Sequence, residues 1–177
     1  MPTNVEIKAR NPDPEGLRTL AISLSCTPEE RLVQEDVFFA CATGRLKLRI
    51  FDSGAGELIL YERPAGPSPR PCRYTIAPTP DPGALRQILS ATLPELGCVR
   101  KERILYRVGQ TRVHLDSVEG LGEFVELEVV LREDQPEEEG VRIAHRLMDR
   151  LGIRSEHLLA GSYFDMLPTS PDQDRDR

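Results

Sequence analysis

The sequence predicts an α+β fold of eight mostly antiparallel strands and three or four helices. Three observations carry that reading. Eight stretches alternate apolar and polar side chains at the two-residue period of a strand. Other stretches carry apolar stripes at helical spacing, two of them behind an Asp-Pro pair that suits a helix start. The segments CATGR, DSGAGE and RVGQTR place turn residues between strand patterns, which marks hairpins and so antiparallel neighbours.

The elements follow in order. The first strand pattern covers residues 3–10, and in NVEIKAR it sets Val5, Ile7 and Ala9 against Asn4, Glu6, Lys8 and Arg10. In RNPDPEGLRTLAISLS, Asp13 can cap a helix, Pro14 suits its first turn, and Leu17, Leu20, Ala21 and Leu24 form the stripe. Strand patterns follow at 34–42, 45–52, 57–63 and 72–78, the last preceded by the Pro-rich loop RPAGPSPRPC. TPDPGALRQILSATLPELG repeats the helix grammar, with Asp81 and Pro82 before Leu85, Ile88, Leu89 and Leu93. Three more strand patterns span 98–108, 111–118 and 122–132. DQPEEEGVRIAHRLMDRLG opens on acids, carries Val141, Ala144, Leu147, Met148 and Leu151 as its stripe, and stops at Gly152. RSEHLLAG reads as a short fourth helix capped by Ser155. Residues 1–167 form one domain, and the polar segment 168–177 is expected to be a disordered tail.

Composition narrows the function classes. The chain has 177 residues, 39% hydrophobic and 29% charged, which fits one globular domain with a real core. Its net charge of −6 argues against a general nucleic-acid or anionic-membrane binder, but not against a local basic cavity. No apolar run is long enough to span a bilayer, and the N-terminus enters the first strand without a signal-peptide pattern. Cys26, Cys41, Cys72 and Cys98 are scattered and read as free thiols of a cytoplasmic protein. His114, His145 and His157 form no metalloprotease-type motif, and the Cys and His spacing makes no zinc site.

Several strands carry charge on one face and aliphatics on the other. RLKLRIF puts Arg45, Lys47 and Arg49 together, VRKERIL puts Lys101 with Arg103, and TRVHLDSV puts Arg112, His114 and Asp116 in phase. FVELEVVL puts Glu126 with Glu128, LILYERP puts Tyr61 with Arg63, and CRYTI contributes Arg73. Two architectures satisfy this: an open sheet showing its charges to solvent, or a closed barrel with helices outside and charges within. The cationic strands are rich in Arg and the acids come as same-face pairs, which turns the reading toward an interior. Arginine forks and lysines suit phosphate oxygens, and paired carboxylates suit a hard divalent cation.

Together these residues resemble the CYTH superfamily, or triphosphate tunnel metalloenzymes, which includes class IV adenylate cyclases, thiamine triphosphatases and bacterial inorganic triphosphatases. The resemblance covers about residues 4 to 167. NVEIK sits where the family carries ExExK, QEDVFF and RLKLR resemble its second and third strands, HLDSVEGLGEFVELE its Asp-then-ExE final strands, and GSYFDML its closing segment. The resemblance implies an eight-stranded antiparallel closed barrel, a tunnel that binds a triphosphate and a divalent metal, with the face of Glu6 and Lys8 turned inward. It implies Glu6, Glu126 and Glu128 as metal ligands with Asp116 in support, and Mg2+ or Mn2+ as the cofactor. It implies a phosphate-binding lining of Lys8, Lys47, Arg49, Arg63, Arg73, Lys101, Arg103 and Arg112. Glu6, Lys8, Arg63 and Tyr61 are the catalytic candidates. The sequence departs from the family where Asn4 replaces the first Glu, Phe38 stands for Tyr, Tyr61 stands for a lysine with Arg63 in phase beside it, and Ala160 and Gly161 precede SYFDML. Beside these candidates, Arg45 is expected at a solvated hairpin edge and His114 as a hydrogen-bonded structural histidine.

The activity implied is metal-dependent hydrolysis of inorganic triphosphate, thiamine triphosphate or a nucleoside triphosphate. The alternatives are an adenylate cyclase releasing pyrophosphate, and a non-catalytic triphosphate or polyphosphate binder. The expected partner is a small-molecule triphosphate, with no nucleic acid or membrane, and the chain is expected to be a monomer or homodimer.

Overall fold

The structure, a computed structural model, describes residues 2–64 and 66–168. The tail expected at 168–177 lies outside the described residues from 169 onward. Eight strands close into an antiparallel barrel: β1 (Thr3–Arg10), β2 (Glu30–Phe39), β3 (Arg45–Phe51), β4 (Gly56–Glu62), β5 (Arg70–Thr79), β6 (Glu95–Val108), β7 (Thr111–Val118) and β8 (Gly122–Val130). Around the wall they run β1-β5-β4-β3-β2-β6-β7-β8, and β8 pairs with β1 to close it. The hairpins β2–β3, β3–β4 and β6–β7 fall where the turn residues predict them. At the tightest of these, Gly109 adopts φ +59, a conformation that favours glycine.

The helices are α1 (Pro14–Leu24), α2 (Pro82–Thr92) and α3 (Glu137–Leu151). Asp13 and Asp81 cap α1 and α2, accepting from the backbone N–H of Gly16 at 3.0 Å and of Ala84 at 2.9 Å. Gly152 ends α3 in the left-handed conformation at φ +68. The fourth helix is reduced to a single 3-10 turn, Ser155–His157, and Ser155 makes no capping bond because the turn begins on it.

The apolar core lies outside the barrel wall. Leu17 and Ala21 of α1 and Leu147, Met148 and Leu151 of α3 pack on Ile7, Ala9, Val113, Leu115, Val125 and Leu127. Leu85, Leu89 and Leu93, in and just after α2, cover Val37, Phe39 and Leu48. The alternation therefore sends aliphatics out to the helices and polar side chains into the lumen. None of the helices packs extensively on β4 or β5. At one mouth, Tyr163 and a second 3-10 turn (Phe164–Met166) seal against Phe38, Val99, Val118 and Phe124. There the rings of Phe38 and Phe164 stack with centroids 4.7 Å apart.

Candidate active site

Alternate side chains of all eight strands converge on a cavity of about 340 Å³ inside the barrel. Among the described residues, eight lysines and arginines and six acids line it. The lumen is thus cationic in a chain whose net charge is −6.

On one side, the neighbouring strands β3, β2 and β6 bring three cations to one carboxylate. Asp36 is 2% exposed and receives Arg49 through two prongs, Nε at 2.8 Å and Nη2 at 3.0 Å. Lys47 Nζ stands 3.0 Å and Lys101 Nζ 2.7 Å from its Oδ2. Burial works to raise Asp36, but Arg49, Lys101 and Lys47 overcome it and hold the carboxyl well below the usual range. Burial pushes Lys101 down to about 7; Asp36 opposes this, while Arg49 and Arg103 add to it.

Four strand positions around the wall, on the facing side, β8 and β1 carry the acids. Glu126 pairs with Lys8, whose Nζ also lies 3.5 Å from the centre of the Tyr163 ring. Glu128 Oε2 is 2.7 Å from Arg112 Nε, and Glu6 Oε2 is 3.5 Å from Arg63 Nη1. Burial pushes Glu6 up to about 7, with Glu128 and Glu126 reinforcing the shift and Arg63 and Lys8 resisting it. Glu126 is held well below the usual range, because Lys8, His114 and Arg103 outweigh its burial. Burial also lowers His114. His114, Glu126 and Glu128 each place one ligand atom within 4.8 Å of the others. Two convergent carboxylates with Glu6 beside them, register-paired to Glu128, form a donor set that fits a divalent cation.

The structure gathers Glu6, Lys8, Lys47, Arg49, Tyr61, Arg63, Lys101, Arg103, Arg112, Glu126 and Glu128 into the lumen. Lys101 and Arg103 are each 5% exposed. Asp116 is fully buried but committed elsewhere: Arg103 grips it at 2.6 and 2.7 Å, and the Tyr163 hydroxyl donates to it at 2.7 Å. Asp116 therefore positions Arg103, its direct partner across β6 and β7. Arg73 is a correction. It faces outward, its side chain 61% exposed and 3.4 Å from Glu137, while Cys72 and Tyr74 on either side face the lumen. Arg45 is half-exposed at the rim, held by Asp165 at 2.7 Å and Ser162 at 3.0 Å.

Sequence reasoning assigns Asp36 and Tyr163 no role of their own and gives His114 a different one. Asp36 lies in phase with Gln34 and Phe38 in QEDVFF, which was its available signal. Tyr163 sits in the quoted segment GSYFDML. His114 was expected to be hydrogen-bonded, yet its buried Nδ1 has no hydrogen-bond partner among the described residues. The remaining departure, Asn4, is buried and accepts from the Tyr74 hydroxyl at 3.4 Å.

A closed barrel with a cationic lumen, a facing carboxylate wall and its hydrophobic core outside defines the class of tunnel barrels. Within that class the chain belongs to the CYTH domain family, whose profile matches residues 2–163. The PH1012 protein of Pyrococcus horikoshii OT3 shares 24% identity over 93% of this chain and 99% of its own, with a TM-score of 0.80. A putative adenylate cyclase from Vibrio parahaemolyticus shares 18% identity over 92% of this chain and 96% of its own, with a TM-score of 0.75. HpAC1 from Hippeastrum, a putative adenylyl cyclase with a dominant triphosphatase activity, shares 17% identity over 94% of each chain, with a TM-score of 0.67. These likenesses establish the fold. No curated protein matches the chain.

Proposed function

We propose that the tunnel binds the triphosphate moiety of a small substrate and, with a divalent cation, hydrolyses it to release inorganic phosphate. The observation that supports this best is the segregation of charge across the lumen. Lys47, Arg49 and Lys101 cluster on one side, and Glu126 and Glu128 stand on the strand facing β3. A linear polyanion laid against Lys47, Arg49 and Lys101 would meet cations, and a divalent cation held by Glu6, Glu126 and Glu128 would offset the repulsion from those carboxylates.

Phosphoryl transfer needs positioning and charge stabilisation more than covalent participation. Asp36 keeps the three cations in place until phosphate oxygens displace it as their partner. Arg103, held by Asp116, which in turn accepts from the Tyr163 hydroxyl, presents a fixed guanidinium to the same space. Lys8, Arg63 and Tyr61 border the region between the walls, where the terminal phosphoryl group would lie. Glu6, Glu126 and Glu128 would hold the divalent cation, which when bound polarises a phosphoryl oxygen and activates water. Water adds to the terminal phosphorus as the bridging P–O bond breaks, the proton it sheds passes to the released phosphate or to solvent, and the cation cluster would neutralise the departing diphosphate. The four free thiols suit a reducing, cytoplasmic setting.

The test is incubation with tripolyphosphate, thiamine triphosphate and ATP, each with Mg2+ or Mn2+, assayed for phosphate and for cyclic AMP. Phosphate without cyclic AMP supports hydrolysis. Cyclic AMP with pyrophosphate replaces it with the cyclase reaction. Tight tripolyphosphate binding with neither product makes the protein a binding module.

A further inference from the structure

The carboxylates of Glu126 and Glu128 each divide their two oxygens between two environments. Oε2 of Glu126 meets Lys8 and lies 3.8 Å from Arg103 Nη2, and Oε2 of Glu128 meets Arg112 at 2.7 Å. The two Oε1 atoms both approach Nδ1 of His114, at 3.9 and 3.8 Å. Strand register fixes this convergence. His114 on β7 lies directly opposite Glu126 on β8, and Glu128 is the next residue on the same face.

His114 is 4% exposed, and its Nδ1 has no hydrogen-bond partner among the described residues. Leaving such a nitrogen unsatisfied in the interior is costly. The separations from the carboxylates are too long for hydrogen bonds. They are shorter than the roughly 4 Å that a nitrogen bond and an oxygen bond to one first-row ion span end to end. With the three ligand atoms within 4.8 Å of one another, small side-chain rotations let a single cation reach all three while Lys8 and Arg112 keep their hold on the outer oxygens.

We propose that His114 is a metal ligand, and that its Nδ1 with one oxygen each of Glu126 and Glu128 forms a site selecting a first-row transition ion such as Mn2+ over Mg2+. Mg2+ takes oxygen ligands almost exclusively, whereas first-row transition ions accept an imidazole nitrogen, Mn2+ the least strongly among them. The ion's role in turnover rests on the function proposed above; the ligand set does not.

The test uses the full-length protein loaded with Mn2+ and no triphosphate. Pulsed electron paramagnetic resonance should show nitrogen coupling from a directly bound imidazole, which changes in protein labelled with 15N-histidine. Calorimetry should show Mn2+ binding more tightly than Mg2+. His114→Gln should abolish the coupling and lose at least roughly tenfold in Mn2+ affinity, with Mg2+ affinity nearly unchanged. A wild-type spectrum without nitrogen coupling, coupling that survives His114→Gln, or no binding of Mn2+ would each overturn the assignment. The wild-type spectrum decides the matter even where the variant folds poorly. A protein that shows the coupling yet hydrolyses nothing upholds the ligand set and refutes the enzyme reading.

Discussion

Asp36 is the residue on which the cation cluster of the lumen depends. It is the shared counterion of Lys47, Arg49 and Lys101, all within 3.0 Å. Removing one partner of a buried ion cluster strands the rest, at about 3–5 kcal/mol. Asp36→Asn should lower stability by that order in urea unfolding, and tripolyphosphate should recover more of it in the variant than in the wild type. Glu6 and Lys101 give the metal-free protein an unusual pH profile. Glu6 rises from 4.5 to about 7 on folding, so the folded state holds its proton longer and stability falls as pH climbs through that window. Lys101 falls from 10.5 to about 7, so between those values the unfolded state binds the extra proton and stability rises with pH. The two effects meet in a trough near neutrality. Melting temperature followed against pH should show it, Glu6→Gln should erase the acid limb, and Lys101→Met the alkaline limb. A flat neutral region in the wild type would contradict both assignments.

The helices carry unequal shares of the fold. Leu147 of α3 is 5% exposed and belongs to the main core against the barrel wall, whereas Leu89 of α2 is only half-buried. Leu147→Ala should therefore cost about 2–5 kcal/mol, and Leu89→Ala clearly less, in equilibrium denaturation. Legibility in the sequence follows the same division. β1, β3, β7 and β8 have helix-covered outer faces, so polar-in, apolar-out alternation announced both strand and phase. β5 has no such cover. Its outer Arg73 and Thr75 meet solvent while Cys72, Tyr74 and Ile76 turn inward, which reverses the polarity rule and explains the misplacement of Arg73. β2 begins at Glu30, four residues before the predicted start, because ERLV is largely exposed and lacks a strong apolar face, although Glu30 and Leu32 border the mouth of the lumen. His114 and Asp36 were in phase with the lumen, but alternation cannot say which polar group lacks a partner. That depends on register between strands and on where each carboxylate turns its two oxygens.

The whole molecule is a barrel with its apolar core outside and its charges within. Closure places β8 across from β3, so Glu126 and Glu128 face Lys47 and Arg49 over a lumen of about 340 Å³. No helix among the described residues is long and apolar enough to cross a membrane. On the proposed function, turnover requires the carboxylate wall, while the apolar core that carries the fold lies outside the barrel. Glu126→Gln combined with Glu128→Gln should abolish metal-dependent phosphate release, and full activity in that double variant would remove the metal from these residues. The most direct test of the account is calorimetric titration of tripolyphosphate into the protein with and without Mn2+. It should give saturable one-to-one binding that Mn2+ tightens, by joining the carboxylate wall to the phosphates. Absence of saturable binding under both conditions would contradict the assignment of the lumen as a triphosphate site.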